Sequence, residues 1–402
     1  MQVLCRFEVK KIPMSTKIRK KIIYTPDEDP HGSGIIKSTF KGSPQNPEKA
    51  SSDLSPLQMI LRKLRPFQLK AYNYATENEN KKVRLLLADE MGLGKTISAL
   101  AIMMKFMDDS WPLLVICPAS LRYAWPSEIE KFIPSLPVSR IYVVKGFDDV
   151  GFVKRRDVKI VIATYSLFQK RAAVARALQE YDFQCVIADE SHNLKEKSSQ
   201  RCELVMPILK KAQHLLLLSG TPALAYPVEL WAQLNCIDSE MFGAYTKYTK
   251  QYCNARRGRF GWDVKGISNA KELHEQLSKI MIRRLKSEVL NELPTKQRSI
   301  VPIATRTSSK LKECQTILEE LDERRAAIKK LTGDDAWEAN VEARTLLMAA
   351  YQASGIAKAS AVADYVVDWL SGSNGEKVLV FAHHKEVLDT IEDAVAKKFK
   401  GI

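Results

Sequence analysis

Four side chains stand where they could act together. Lys95 and Thr96 close the run Asp89-Glu90-Met91-Gly92-Leu93-Gly94-Lys95-Thr96, and Asp189 and Glu190 open Asp189-Glu190-Ser191-His192. A lysine and a hydroxyl beside two glycines suit a polyphosphate. Gly92 and Gly94 let backbone N–H groups turn toward phosphate oxygens, Lys95 reaches the β and γ phosphates, and the Thr96 hydroxyl holds Mg2+. Adjacent carboxylates complete the set: Asp189 holds Mg2+ directly or through water, and Glu190 orients and deprotonates an attacking water. The chemistry implied is hydrolysis of ATP with Mg2+ as cofactor. One departure stands out: Asp89 occupies the place where the usual phosphate-loop pattern has its first glycine.

These residues need elements to hold them. Leu85 to Leu87 form an apolar run that predicts a buried parallel strand before the glycine loop. Ile97, Leu100, Ala101 and Met104 recur at helical spacing, so a helix starts near Lys95 and points its positive end at the phosphates. Val186 to Ala188 predict the strand that delivers Asp189 and Glu190. Two more strands, Leu113 to Cys117 and Ile160 to Tyr165, end in polar residues where open α/β sheets collect ligands. Ser120 with Leu121, and Thr164 with Tyr165, are the candidates for a nucleic-acid backbone, and a plain strand terminus reads equally well for Thr164 and Tyr165. Trp125, Ile129 and Phe132 read as a core-facing helix stripe. His214 to Leu218 is another apolar strand, ending in Ser219-Gly220-Thr221-Pro222. Ser219, Gly220 and Thr221 are placed to sense the γ phosphate, or else close a tight turn. His192 either couples the nucleotide to other elements or is structural. Ahead of the glycine loop, Gln68 carries an amide donor and acceptor that match both edges of an adenine. Strands and helices alternate through Leu234, which predicts a doubly wound parallel sheet.

Composition narrows the class. The 402 residues are 45% hydrophobic and 27% charged, values of a globular chain with room for two or three domains. A net charge of +15 points to a polyanionic partner, nucleic acid before membrane. Seven scattered cysteines, none at Cys-x-x-Cys spacing, support neither a disulfide framework nor a zinc site. The apolar runs are too short to span a bilayer.

Beyond Ile237 helix-period residues mix with charge, at Glu272 to Ile282 and Ser308 to Leu331. Arg283, Arg284 and Lys286 form a basic knot that fits DNA, the nucleotide face or a solvated face. Ala359 to Leu370 predicts a helix, and Lys377 to His384 a new strand opening another α/β domain. The paired His383 and His384 lack a third metal ligand. The organisation expected is a mobile basic arm over 1–55, an ATP-binding domain over 56–236, a helical insertion or linker over 237–350, and the beginning of a second α/β domain over 351–402.

Taken in order, the Gln68 block, Asp89 to Thr96, Asp189 to His192 and Ser219 to Pro222 resemble the Snf2 family of superfamily 2 DNA translocases. Tyr252-Cys253-Asn254, Gly261-Trp262-Asp263, Ile280 to Lys286 and Phe381 to His384 are similar to its annealing-helicase branch. The resemblance implies a RecA-like doubly wound sheet with a mainly helical insertion and the start of a second RecA-like domain. It implies DNA-dependent ATP hydrolysis on branched or forked DNA, largely without sequence preference, in replication-fork repair and in the nucleus (the cytoplasm if prokaryotic or viral). Family members complete the ATP site with an arginine pair from the second RecA-like domain, for which this sequence offers no counterpart before Ile402. The chain therefore reads as a partial gene product with slow hydrolysis. The competing readings are a nucleotide- and DNA-binding module without efficient turnover, and a phosphate-loop ATPase outside DNA metabolism. Gln68, the helical insertion and the positive charge weigh against the last.

Overall fold

The computed structural model describes residues 4–6, 54–77, 82–223, 225–258, 261–290, 300–303, 309–328, 334–373 and 378–399. The chain forms two compact units, one of residues 39–293 and the other of 1–38 with 294–402.

In the first unit seven strands make one parallel sheet: β1 (Arg84–Leu87), β2 (Leu113–Cys117), β3 (Ile141–Val143), β4 (Ile160–Thr164), β5 (Cys185–Asp189), β6 (His214–Leu218) and β7 (Met281–Ile282). Their spatial order is β7-β1-β6-β5-β2-β4-β3. Alternate residues serve opposite faces. Leu86, Leu114, Ile116, Val186, Leu215 and Leu217 enter one core, while Leu85, Leu87, Val115, Ile187, Leu216 and Leu218 enter the other. Covering both faces demands continuous apolar strands, which is why these segments are apolar runs and not alternations. Each leucine so buried contributes about 1.5–3 kcal/mol. The doubly wound sheet expected of a RecA-like domain is thus present.

Arg84 anchors the sheet's amino end. Its guanidinium donates to the carbonyls of Leu209 and Ile237, each at 2.9 Å, and to those of Ala212 and Cys236. These carbonyls end the helices Gln200–Lys211 and Trp231–Ile237, whose last turns have no helical donors left.

Several expectations change. The helix expected over Glu272 to Ile282 is Ala270–Ile280, and Met281 and Ile282, the end of the expected span, are β7, pairing with Leu86 and Leu87. Residues 237–293, expected within the linker, therefore lie in the sheet's own compact unit. The short strand β3 was not expected; among the described residues it pairs with β4, at the sheet's edge. The helix expected over Ser308 to Leu331 is Ser309–Ile328. The one expected over Ala359 to Leu370 lies inside a 39-residue helix, Asp334–Gly372. No strand forms over 378–384, because a strand exists only through its ladder and no described segment pairs with this one. In the second unit Ala359, Val362, Ala363 and Val366 pack against Val387 and Ile391 of the helix Lys385–Lys398. Leu4–Arg6 pairs antiparallel with Ile300–Pro302. The rest of the expected basic arm, up to residue 53, lies outside the described residues. No described helix is long and apolar enough to cross a membrane.

Candidate functional site: the carboxyl ends of β1, β5 and β6

Between β1 and the helix Lys95–Met104 the chain turns through two left-handed glycines. Gly92 and Gly94 have φ of +87° and +74°, backbone that favours glycine. A Cβ on Gly94 would sit 2.5 Å from Gln68 Nε2. Gln68 is 5% exposed; its Nε2 donates to the Leu93 carbonyl at 2.9 Å and its Oε1 accepts the Arg65 N–H at 2.9 Å. The amide expected to read an adenine also fastens the loop to the helix Pro66–Thr76, with one backbone bond at each of its ends.

Lys95 Nζ donates to the Asp89 carbonyl at 2.9 Å, closing the loop on itself. Burial lowers the Lys95 pKa, against the pull of Glu190, Asp189 and Asp89. The Asp89 carboxylate is committed within the protein. It is 1% exposed, and both of its oxygens accept from Arg284, Oδ1 from Nε at 2.9 Å. Arg284 also donates to the Phe67 carbonyl, with its guanidinium 5.1 Å from the Phe67 ring centre. Of the basic knot, Arg284 is thus not a solvated side chain but packs against the start of the glycine loop.

At β5, Asp189 is 8% exposed, and burial raises its pKa. Its Oδ2 accepts the Trp125 indole N–H at 3.0 Å and its Oδ1 the Glu190 N–H at 2.9 Å. Trp125 does line the core as the helix stripe predicts, but it also aims the acidic side chain, which periodicity could not reveal. Glu190 has φ +49°, a left-handed conformation that costs a non-glycine residue about 1 kcal/mol or more. Two bonds from Asn193, backbone and side chain, to the Glu190 carbonyl at 3.0 and 2.9 Å hold it there. A strained carboxylate at a strand end is a mark of a working site.

His192 Nδ1 lies 3.2 Å from both Glu190 Oε2 and Ser219 Oγ, so one imidazole bridges the ends of β5 and β6. Ser219 Oγ accepts the Thr221 N–H at 3.2 Å. A Cβ on Gly220 would meet Met91 Cγ at 2.5 Å and lies 3.6 Å from Lys95 Nζ, so this turn rests on the phosphate loop. Behind it Ser191 Oγ donates to Gln233 Oε1 at 2.7 Å, and Gln233 Nε2 to the Pro222 carbonyl at 2.8 Å, a buried link with no sequence signature.

The strand ends proposed for nucleic acid divide. Ser120 is exposed and Leu121 half-buried in the turn after β2. Thr164 and Tyr165 are 1% and 2% exposed, which removes them from direct surface contact. Thr164 Oγ1 instead pairs with Ser166 Oγ at 2.9 Å. The Tyr165 hydroxyl is buried without a hydrogen-bond partner, and burial holds its pKa well above the usual phenol range. It adjoins a cavity of about 700 Å3 lined also by Ser166, His192, Lys195 and Arg201.

Mg2+ fits the donors present. Thr96 opens a helix and Asp189 supplies a hard carboxylate; the described residues hold no cluster of three or more acidic, histidine or cysteine ligands. One carboxylate with phosphate and water oxygens is how this ion usually binds beside nucleotides.

The sequence matches known proteins. The SNF2-related domain matches residues 67–331. The DNA annealing helicase and endonuclease ZRANB3 of Bos taurus is 40% identical over 338 residues, 83% of this chain and 30% of that protein. The SWI/SNF-related matrix-associated actin-dependent regulator of chromatin subfamily A-like protein 1 of Xenopus tropicalis is 39% identical over 350 residues, 86% of this chain and 34% of that protein. The chain thus spans about a third of the length of these relatives. A Sulfolobus solfataricus SWI2/SNF2 ATPase core in complex with dsDNA is 22% identical, with a TM-score of 0.48 over 83% of this chain and 70% of that one. With well over half of its length matched, and the phosphate loop and acidic strand inside the match, the chain belongs to the SNF2-related family.

Proposed function

We propose that this chain is the ATP-binding part of a DNA-dependent ATPase that translocates on and anneals branched or forked DNA in the nucleus. The observation that carries the reading is convergence: Lys95, Thr96, Asp189 and Glu190 meet at one end of the sheet, and His192 ties them to Ser219. In this reading the loop amides and Lys95 bind the phosphates of ATP. Thr96 and Asp189 would hold Mg2+, which when bound neutralises charge on the β and γ oxygens. Glu190 positions water and takes its proton; His192 and Ser219 carry the nucleotide state from β5 to β6. DNA phosphates would run past Ser120, Ser166, Lys195 and Arg201, supported by the +15 charge and the cavity beside Tyr165. The ZRANB3 relative, named a DNA annealing helicase, supports the substrate class.

Calorimetric titration of ATP with Mg2+ tests the site. Lys95→Ala removes a charge-assisted contact worth about 1.5–3 kcal/mol, so affinity should fall about ten- to a hundredfold. Glu190→Gln should bind ATP as wild type does, because Glu190 acts on water and not on the phosphates. Equal affinity of wild type and Lys95→Ala would refute the assignment. The DNA reading predicts binding to a fork that weakens steeply with salt, as counterion release requires.

A further inference from the structure

The chain leaves β7 directly over the phosphate loop. The Ile282 carbonyl accepts the Ala88 N–H at 2.7 Å, and the Arg284 carbonyl accepts the Glu90 N–H at 3.0 Å. The Lys286 N–H donates to Glu90 Oε2 at 2.7 Å. Together with the Arg284–Asp89 ion pair, these bonds lock residues 282–286 against residues 88–90, 195 positions away in sequence. The lacing fixes where the next side chain goes. Lys286 lies along the loop: a Cβ on Gly92 would stand 3.2 Å from its Nζ and 3.3 Å from its Cε. Gly92, at φ +87°, offers bare backbone there, so the ammonium sits on the glycine turn itself.

The carboxylates beside this ammonium are engaged by other groups. Among the described residues Lys286 Nζ has no ion pair and no hydrogen bond. Asp89 is committed to Arg284, and Glu90 Oε2 takes the Lys286 backbone N–H. Lys95, the other cation on the loop, ties to a carbonyl and not to a carboxylate. Its pKa is lowered first by burial, and the Lys286 charge adds to that lowering. The Lys286 charge repels that of Lys95 although Glu190, Asp189 and Asp89 attract it, and an anion entering between the two lysines would relieve that repulsion.

We propose that Lys286 is a second phosphate-binding lysine of the nucleotide site, joining Lys95 on the polyphosphate from the segment that follows β7. It supplies, within the same compact unit, positive charge beyond that of Lys95. The inference rests on the nucleotide-site reading of the loop.

Calorimetric titration of the full 402-residue chain with ADP, and with inorganic pyrophosphate as a probe lacking adenosine, decides it. Lys286→Met keeps the aliphatic stem and removes the charge; Lys286→Arg keeps the charge. Lys286→Met should weaken both ligands about tenfold, the usual scale for one charge-assisted phosphate contact. Lys286→Arg should stay within about twofold of wild type, and both should melt as wild type does without ligand. Wild-type affinity in Lys286→Met overturns the proposal. So does equal weakening in both variants with a lowered melting point, which would make Lys286 a support for the loop. Failure of wild type itself to bind ADP would instead refute the nucleotide-site reading.

Discussion

Replacing Arg284 by methionine is the most exacting perturbation of this site. Asp89 is 1% exposed, and Arg284 is its sole ionic partner among the described residues. Methionine keeps much of the stem that lies over Phe67 but leaves a buried carboxylate without compensation. Breaking a buried pair from one side typically costs about 3–5 kcal/mol. The Arg284 side chain retains 16% exposure, so water reaches the vacated space and the lower end, about 3 kcal/mol, is the expected loss. For a unit of this size that is a fall of roughly 6–12 °C in the melting point. Asp89→Asn removes the charge from the other side. In the double variant no charge is stranded, so the pair should cost less than the sum of the singles, by about 1–3 kcal/mol. Urea denaturation of all four proteins, followed by circular dichroism, completes the cycle. ADP affinity should fall with Arg284→Met as well, because Asp89 and Glu90 lose the strap that shapes the loop. An Arg284→Met protein melting within about 2 °C of wild type, or additive single effects, would refute the clamp.

Two further outcomes follow from single contacts. Trp125→Phe keeps the buried ring and removes the donor to Asp189 Oδ2, a hydrogen bond to a charged group worth about 1.5–3 kcal/mol. The Mg2+ concentration that half-saturates nucleotide binding should rise about tenfold while Mg2+-free binding stays constant, and an unchanged Mg2+ midpoint would count against the positioning role. His214 is 1% exposed, stacks on Phe106 at 3.7 Å and accepts the Val83 N–H at 3.3 Å. Burial, helped by the Arg84 charge, lowers its pKa from 6.5 to about 4. Below pH 6.5 the unfolded chain takes up a proton that the folded chain refuses until about pH 4, so stability falls across that window, by about 2 kcal/mol at pH 5. His214→Phe should melt lower at pH 7, having lost the Val83 acceptor, yet lose less between pH 7 and pH 5 than wild type; parallel curves would show that His214 does not titrate there.

What could be read from the chain was what is local in it. The core strands are apolar because both sheet faces are covered, and their acidic, hydroxyl or glycine ends sit within a few residues of the runs that deliver them. Lys95, Thr96, Asp189, Glu190, His192 and Ser219 were therefore legible as a group before any coordinates. Partners chosen by the fold were not. Nothing near Asp89 announces that its counterion lies 195 residues on, in Arg284, and nothing in Met281-Ile282 separates a two-residue edge strand from the end of the helix before it. Burial likewise overrode side-chain type: Thr164 and Tyr165 look like surface donors, but the end of β4 and the turn after it bury them, while Ser166 stays exposed. The departure at Asp89 shows how the two kinds of information meet. With a glycine there, the loop would have no charged handle. With aspartate, it gains a buried anion that must be neutralised, and β7 with Arg284 is the element that does so. A residue that weakens the phosphate-loop pattern as a motif thereby makes the loop depend on the last strand of the sheet.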